Sequence, residues 1–79
     1  MTTREQVLAI LKEIKPTKNL ENVTGIIENG YIDSFELMSL VSSLSEKFGI
    51  EITIDELIPE NFNSVEAITK MVDTIRNNN

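Results

Sequence analysis

The sequence predicts an all-α fold: a small four-helix bundle of three main helices and one short helix, with a long loop between helices 1 and 2. Three observations lead there. Three stretches carry apolar residues at helical spacing, each opened by a capping residue and two of them closed by a breaker. The one alternating stretch, Ile50 to Ile54, has no second strand whose backbone could satisfy its own. A chain of 79 residues, 41% hydrophobic, holds one small core and no second one.

The elements follow in order. Thr3 with Gln6 forms a capping-box signature, and Val7, Leu8, Ile10, Leu11 and Ile14 recur at helical spacing until Pro16. A first helix over residues 3–15 is expected. Residues 16–33 lack periodicity and read as a long connection, pinned to the core by Leu20, Val23, Ile26, Ile27 and Tyr31. Loops of that length in small domains are uncommon and often functional. Asp33 with Glu36 starts a second helix over 34–48, striped by Leu37, Leu40, Val41, Leu44 and Phe48 and stopped by Gly49. Ile50, Ile52 and Ile54 are expected in an extended segment that drops them into the core. Pro59 restricts residues 55–62 to a short helix or turn. Asn63 or Ser64 caps the last helix, which faces Val65, Ile68, Met71, Val72 and Ile75 inward to residue 76. Residues 1–76 are expected as a single domain, and residues 77–79 as a frayed tail.

Composition excludes several functions. Cys is absent, so no disulfide, thiolate metal site or cysteine nucleophile exists; His is absent too, which removes the commonest general base. None of the three Gly belongs to a phosphate-cradling motif. Thirteen acids against seven bases give a net charge of −6, a surface that repels phosphate backbones and anionic lipid. Neither nucleic-acid binding nor membrane insertion is expected, and a cytoplasmic monomer is. The charge is uneven. Residues 1–20 hold four bases against two acids, whereas residues 21–79 hold three bases against eleven acids. Gly25 to Glu36 has Gly and Glu where a calcium loop needs them, but Gly25 and Ile27 stand at its first two ligand positions. Calcium is not expected.

The informative segment is Gly30-Tyr31-Ile32-Asp33-Ser34-Phe35-Glu36-Leu37. It puts a serine in the first turn of an amphipathic helix, where the helix dipole and unpaired N–H groups favour an anion. No His is available, and no lysine beside it in sequence, to activate Ser34 as a nucleophile. Ser34 therefore reads as a residue modified by another protein. By itself, the Asp33-Ser34 pair reads first as an ordinary helix cap.

The longer array resembles the acyl carrier proteins, which hold thioester intermediates on a 4′-phosphopantetheine arm. Their Asp-Ser-Leu at the start of helix 2 corresponds to Asp33-Ser34-Phe35. The match continues through Glu36-Leu37-Met38-Ser39-Leu40-Val41, Leu44, Glu46-Lys47-Phe48-Gly49-Ile50-Glu51-Ile52 and Pro59-Glu60-Asn61-Phe62-Asn63-Ser64-Val65. The resemblance implies a non-catalytic shuttle whose Ser34 receives the arm from coenzyme A through a phosphopantetheinyl transferase. It implies that Asp33 is recognised by that transferase besides capping the helix. It gives an acyl or aminoacyl ligase or synthase, and downstream acyltransferases, as further partners. Leu44, Ile52 and Phe62 become candidate lining for a sheltered acyl chain, with ordinary core packing as the alternative.

Two departures narrow the expectation. Phe35 stands where the family usually has Leu. Fatty-acid carriers usually show several acids on helix 2, whereas Ser39, Ser42, Ser43, Ser45 and Lys47 stand here beside Glu36 and Glu46 alone. The approach Glu28-Asn29-Gly30-Tyr31-Ile32-Asp33-Ser34 is similar to that of D-alanyl and other dedicated carriers. A specialised carrier is therefore expected, loaded by its own enzyme. The alternatives are a degenerate interaction module without the arm and the general fatty-acid carrier. Helical spacing assigns Glu36, Ser39, Ser43 and Glu46 to the outward, partner-binding face of helix 2, with Phe35, Met38 and Ser42 at its margin.

Overall fold

The structure, a computed structural model, describes residues 1–78. Helix α1 (Thr3–Ile14) is capped by Thr2 rather than by Thr3. Thr2 Oγ1 accepts the Glu5 N–H at 3.1 Å, and Glu5 Oε1 accepts the Thr2 N–H at 2.8 Å. The expected box lay one residue later. A carboxylate answers the cap N–H more strongly than the Gln6 amide would, and the Thr3 hydroxyl instead donates to Asp73 at 2.9 Å. Lys15 ends the helix ahead of Pro16.

Helix α2 (Ser34–Phe48) has the expected bounds, from the Asp33 cap to Gly49. Gly49 adopts φ +62, the left-handed region where a side chain is penalised. Leu40 and Leu44 carry the buried stripe, with Leu37, Val41 and Phe48 packed at its edge. The long connection before it is pinned by Leu20 and Ile26, with Val23, Ile27 and Tyr31 half-buried against the core. Ile32 adds an anchor, also buried, two residues ahead of Ser34.

Among the described residues there is no strand. Ile50 is buried and Ile52 half-buried, but Ile54 is 81% exposed, against expectation. The cause is local. The chain turns at Thr53 into a 3-10 turn over Ile54–Glu56, closed by Thr53 N–H and hydroxyl bonds to Glu56 Oε1, which rotates Ile54 outward. Helix α3 (Pro59–Phe62) begins with Pro, where a missing N–H costs nothing, and buries Phe62. Helix α4 (Val65–Asn77) is capped by Ser64, whose Oγ accepts the Ala67 N–H at 3.0 Å. It buries Val65, Ile68, Met71 and Val72, with Ile75 at the edge. It includes Asn77, and Asn78 donates its N–H to the Ile75 carbonyl; of the expected tail, Asn79 lies outside the described residues.

Helix α4 packs against α1, α2 and α3, and α1 packs against α2. The interior holds no buried polar or charged side chain among the described residues. Three main helices and one short one thus enclose a single apolar core, and the N-terminus of α2 emerges from it at Asp33-Ser34.

Candidate functional site

Ser34 is the first residue of α2 and lies exposed at the end of the long connection. Its position follows from three restraints. Ile32 is fixed in the core, so the chain leaves the interior immediately before the site. Asp33 Oδ1 accepts the Glu36 N–H at 2.8 Å, while Glu36 Oε1 accepts the Asp33 N–H at 3.0 Å. The other Glu36 oxygen pairs with Lys15 Nζ at 3.0 Å, tying the end of α1 to the first turn of α2. A reciprocal box thus closes the helix end and an ion pair backs it.

Such a site can hold an anion but cannot activate a nucleophile. A phosphate ester on the Ser34 hydroxyl would lie at the positive end of a 15-residue helix. Asp33 opposes it, but one of its oxygens is already engaged by the Glu36 amide. The ester needs no buried space, because Ser34 is exposed. The chain has no His or Cys, and among the described residues no group of three or more acids could hold a metal ion.

The outward face of α2 differs from the expected one. Ser39, Ser42 and Glu46 are exposed, but Glu36 and Ser43 are half-buried. Phe35 and Met38 are not marginal: they are 87% and 52% exposed. The reason is helical phase. At about 100° per residue, Phe35, Ser42 and Glu46 fall opposite the Leu40–Leu44 stripe. Glu36 and Ser43 fall on its flank, and there Lys15 engages Glu36. Of the residues expected to line a sheltered cargo, Leu44 and Phe62 are close-packed in the core and Ile52 is half-buried. Two surface clefts lie elsewhere, one between α1 and the connection and one between α3 and α4.

Comparison with known proteins bears directly on this geometry. Residues 5–72 match the family described as the phosphopantetheine attachment site. The chain belongs to that family. It is an acyl carrier protein, a non-catalytic shuttle whose prosthetic group is 4′-phosphopantetheine. Its relatives include the D-alanyl carrier protein of Lactobacillus acidophilus, 28% identical over 98% of this chain and 99% of that one. D-alanyl carrier proteins of Bacillus cereus and Bacillus anthracis are 30% identical over 92% of this chain and 95% of theirs. Carriers of this family work with phosphopantetheinyl transferases and ligases. No helix among the described residues is long and apolar enough to cross a membrane.

Several features of the carrier's structure give no signal in the sequence. Lys15 lies 21 positions from its partner Glu36. Ile54, in the 3-10 turn, and Ile58, which precedes α3, are exposed although both are large apolar residues. Asn63, one of two possible caps for α4, instead reaches back to the connection at Ile26, Ile27 and Glu28.

Proposed function

We propose that Ser34 carries the 4′-phosphopantetheine arm and that the protein shuttles an aminoacyl or acyl group in a dedicated pathway, loaded by its own ligase. The observation that carries this reading is an exposed serine at the first position of a boxed, fifteen-residue helix, within a chain of the carrier family. In the transfer, a bond forms between Ser34 Oγ and the phosphorus of coenzyme A. The pyrophosphate bond breaks, adenosine bisphosphate leaves, and the serine proton passes to a base of the transferase. The arm supplies the thiol that a Cys-free chain lacks. Asp33 shapes the helix end and presents a free carboxylate oxygen to the transferase.

The relatives named as D-alanyl carriers support an aminoacyl cargo. So does α2 itself. Residues 34–48 hold two acids, Glu36 and Glu46, against Lys47, a net of −1, and Glu36 is committed to Lys15. Enzymes that grip carriers through basic patches find little charge here, and an exposed ion pair contributes under about 1 kcal/mol. Phe35 and Met38 supply apolar contact instead, with Ser39, Ser42 and Glu46 around them.

Incubation with coenzyme A and a broad-specificity transferase should add one phosphopantetheinyl mass to the wild type and none to Ser34→Ala. Peptide mapping should locate it on Ser34. Modification that persists in Ser34→Ala, or that lands on Ser39 or Ser42, would overturn the assignment. The holo form should then accept an amino acid from an ATP-dependent aminoacyl ligase. Faster turnover by fatty-acid ketosynthases than by such a ligase would refute the dedicated-carrier reading.

A further inference from the structure

The connection between α1 and α2 contains one turn of helix-like chain that no neighbouring residue caps. Its far end closes on itself: Tyr31 N–H reaches the Ile26 carbonyl at 3.0 Å and Gly30 N–H the Ile27 carbonyl at 3.1 Å. Gly30, at φ +75, supplies the left-handed residue that this paired closure requires. The near end leaves the amides of Ile26, Ile27 and Glu28 pointing away from the turn, and Asn63 takes all three. Its carbonyl accepts Ile26 N–H at 2.9 Å. Its side-chain Oδ1 accepts Ile27 N–H at 3.1 Å and Glu28 N–H at 3.4 Å. Its Nδ2 donates to Glu28 Oε1 at 3.1 Å. A residue at the junction of α3 and α4 therefore does for this turn what an N-cap does for a helix, across more than thirty positions of sequence.

The turn runs directly into the site. Tyr31 closes it, Ile32 enters the core, and Asp33 and Ser34 open α2. Asn63 already has a structural neighbour in the α4 cap, Ser64, so its side chain is free of that duty.

We propose that Asn63 is a positioning residue for the loading of Ser34. It holds the Ile26–Tyr31 turn in the one shape a transferase meets beside the serine, with Glu28 as its partner. The inference rests on Ser34 as the attachment residue. An enzyme that reads a preformed surface loses rate when that surface wanders, and a misplacement of an ångström can cost on the order of 100-fold.

The test compares transferase kinetics at a temperature where circular dichroism finds every variant folded. Asn63→Ala should lower kcat/KM for loading by roughly tenfold or more, given that sensitivity to misplacement. The amides of Ile27 and Glu28 should exchange faster with solvent. Asn63→Asp keeps the acceptor and folds, but sets a carboxylate against Glu28 and should also load slowly. Adding Glu28→Gln to it restores a donor across the pair and should return loading towards the wild-type rate. Glu28→Gln alone should load normally. Wild-type kcat/KM in folded Asn63→Ala, or no rescue of Asn63→Asp by Glu28→Gln, would overturn this inference alone. Loading that persists in Ser34→Ala would overturn the attachment reading and this inference with it.

Discussion

Helices α4 and α2 are of similar length and differ in what they leave unsatisfied. The inner face of α4 buries four residues, and its outer face is polar and stitched to its neighbours. Glu66 receives Arg4 Nε at 2.9 Å, Asp73 receives the Thr3 hydroxyl, and Arg76 lies 5.5 Å over the Phe48 ring. Helix α2 buries only Leu40 and Leu44 and holds Phe35 and Met38 in water. Fully burying one such side chain is worth about 1.5–3 kcal/mol, which a folded monomer forgoes here. A second surface can recover it. The burial pattern of α4 ties it to the stability of the bundle, whereas the exposed apolar residues of α2 support the proposal that its N-terminal half meets partners.

The comparison breaks most visibly at α4. Ile68→Ala leaves a cavity at a fully buried position and should cost about 2–5 kcal/mol, a large part of the stability of a chain this small. Urea unfolding should report that loss, while the folded fraction should load at the wild-type rate. A smaller effect separates the cap formed by Asp33 from the transferase recognition proposed for it. Asp33→Ala removes the cap and should cost about 1 kcal/mol. Asp33→Asn still caps but lacks the charge, so it should unfold like the wild type and load poorly. Normal loading of Asp33→Asn would leave only the capping role.

The smallest effect lies in the polar stitching. The Arg4 hydrogen bond holds the Glu66 carboxyl below its ordinary value of 4.5, and the Thr2 backbone amide does the same for Glu5. Groups depressed in the folded state contribute stability above their unfolded value and lose it as pH falls through the folded one. Stability should therefore decline as pH drops below about 4.5. Arg4→Met should make that acid limb shallower, because Glu66 then titrates nearer its unfolded value. Thermal unfolding across a descending pH series measures it, and an unchanged limb would remove Arg4 from the account.

Much of this was legible from the residues. The α2 bounds follow from Asp33, Glu36 and Gly49, all local signals, and the place of Ser34 follows with them. The α1 cap fell one residue earlier than expected: Thr2 has Glu5 three residues on, and the Thr3 hydroxyl is claimed from α4, 70 residues away. Alternation at Ile50, Ile52 and Ile54 suggested three core residues, but no local pattern reveals that the chain turns at Thr53. Glu36 looked like an outward charge because Lys15 becomes its neighbour only when α1 packs on α2. The Asn63 contacts join segments 35 and more residues apart, beyond any window of periodicity.

The central claim, that the exposed apolar end of α2 is kept for partners, is tested most directly by phosphopantetheinyl transfer to Phe35→Ala, measured beside its unfolding curve. Phe35 is 87% exposed and adjoins Ser34, so its loss should leave stability unchanged within about 0.5 kcal/mol. Loading should slow well beyond the small effect of Glu46→Gln, and the difference should persist across a salt series. Loading at the wild-type rate, or a loss of stability as large as that of Ile68→Ala, would contradict the claim.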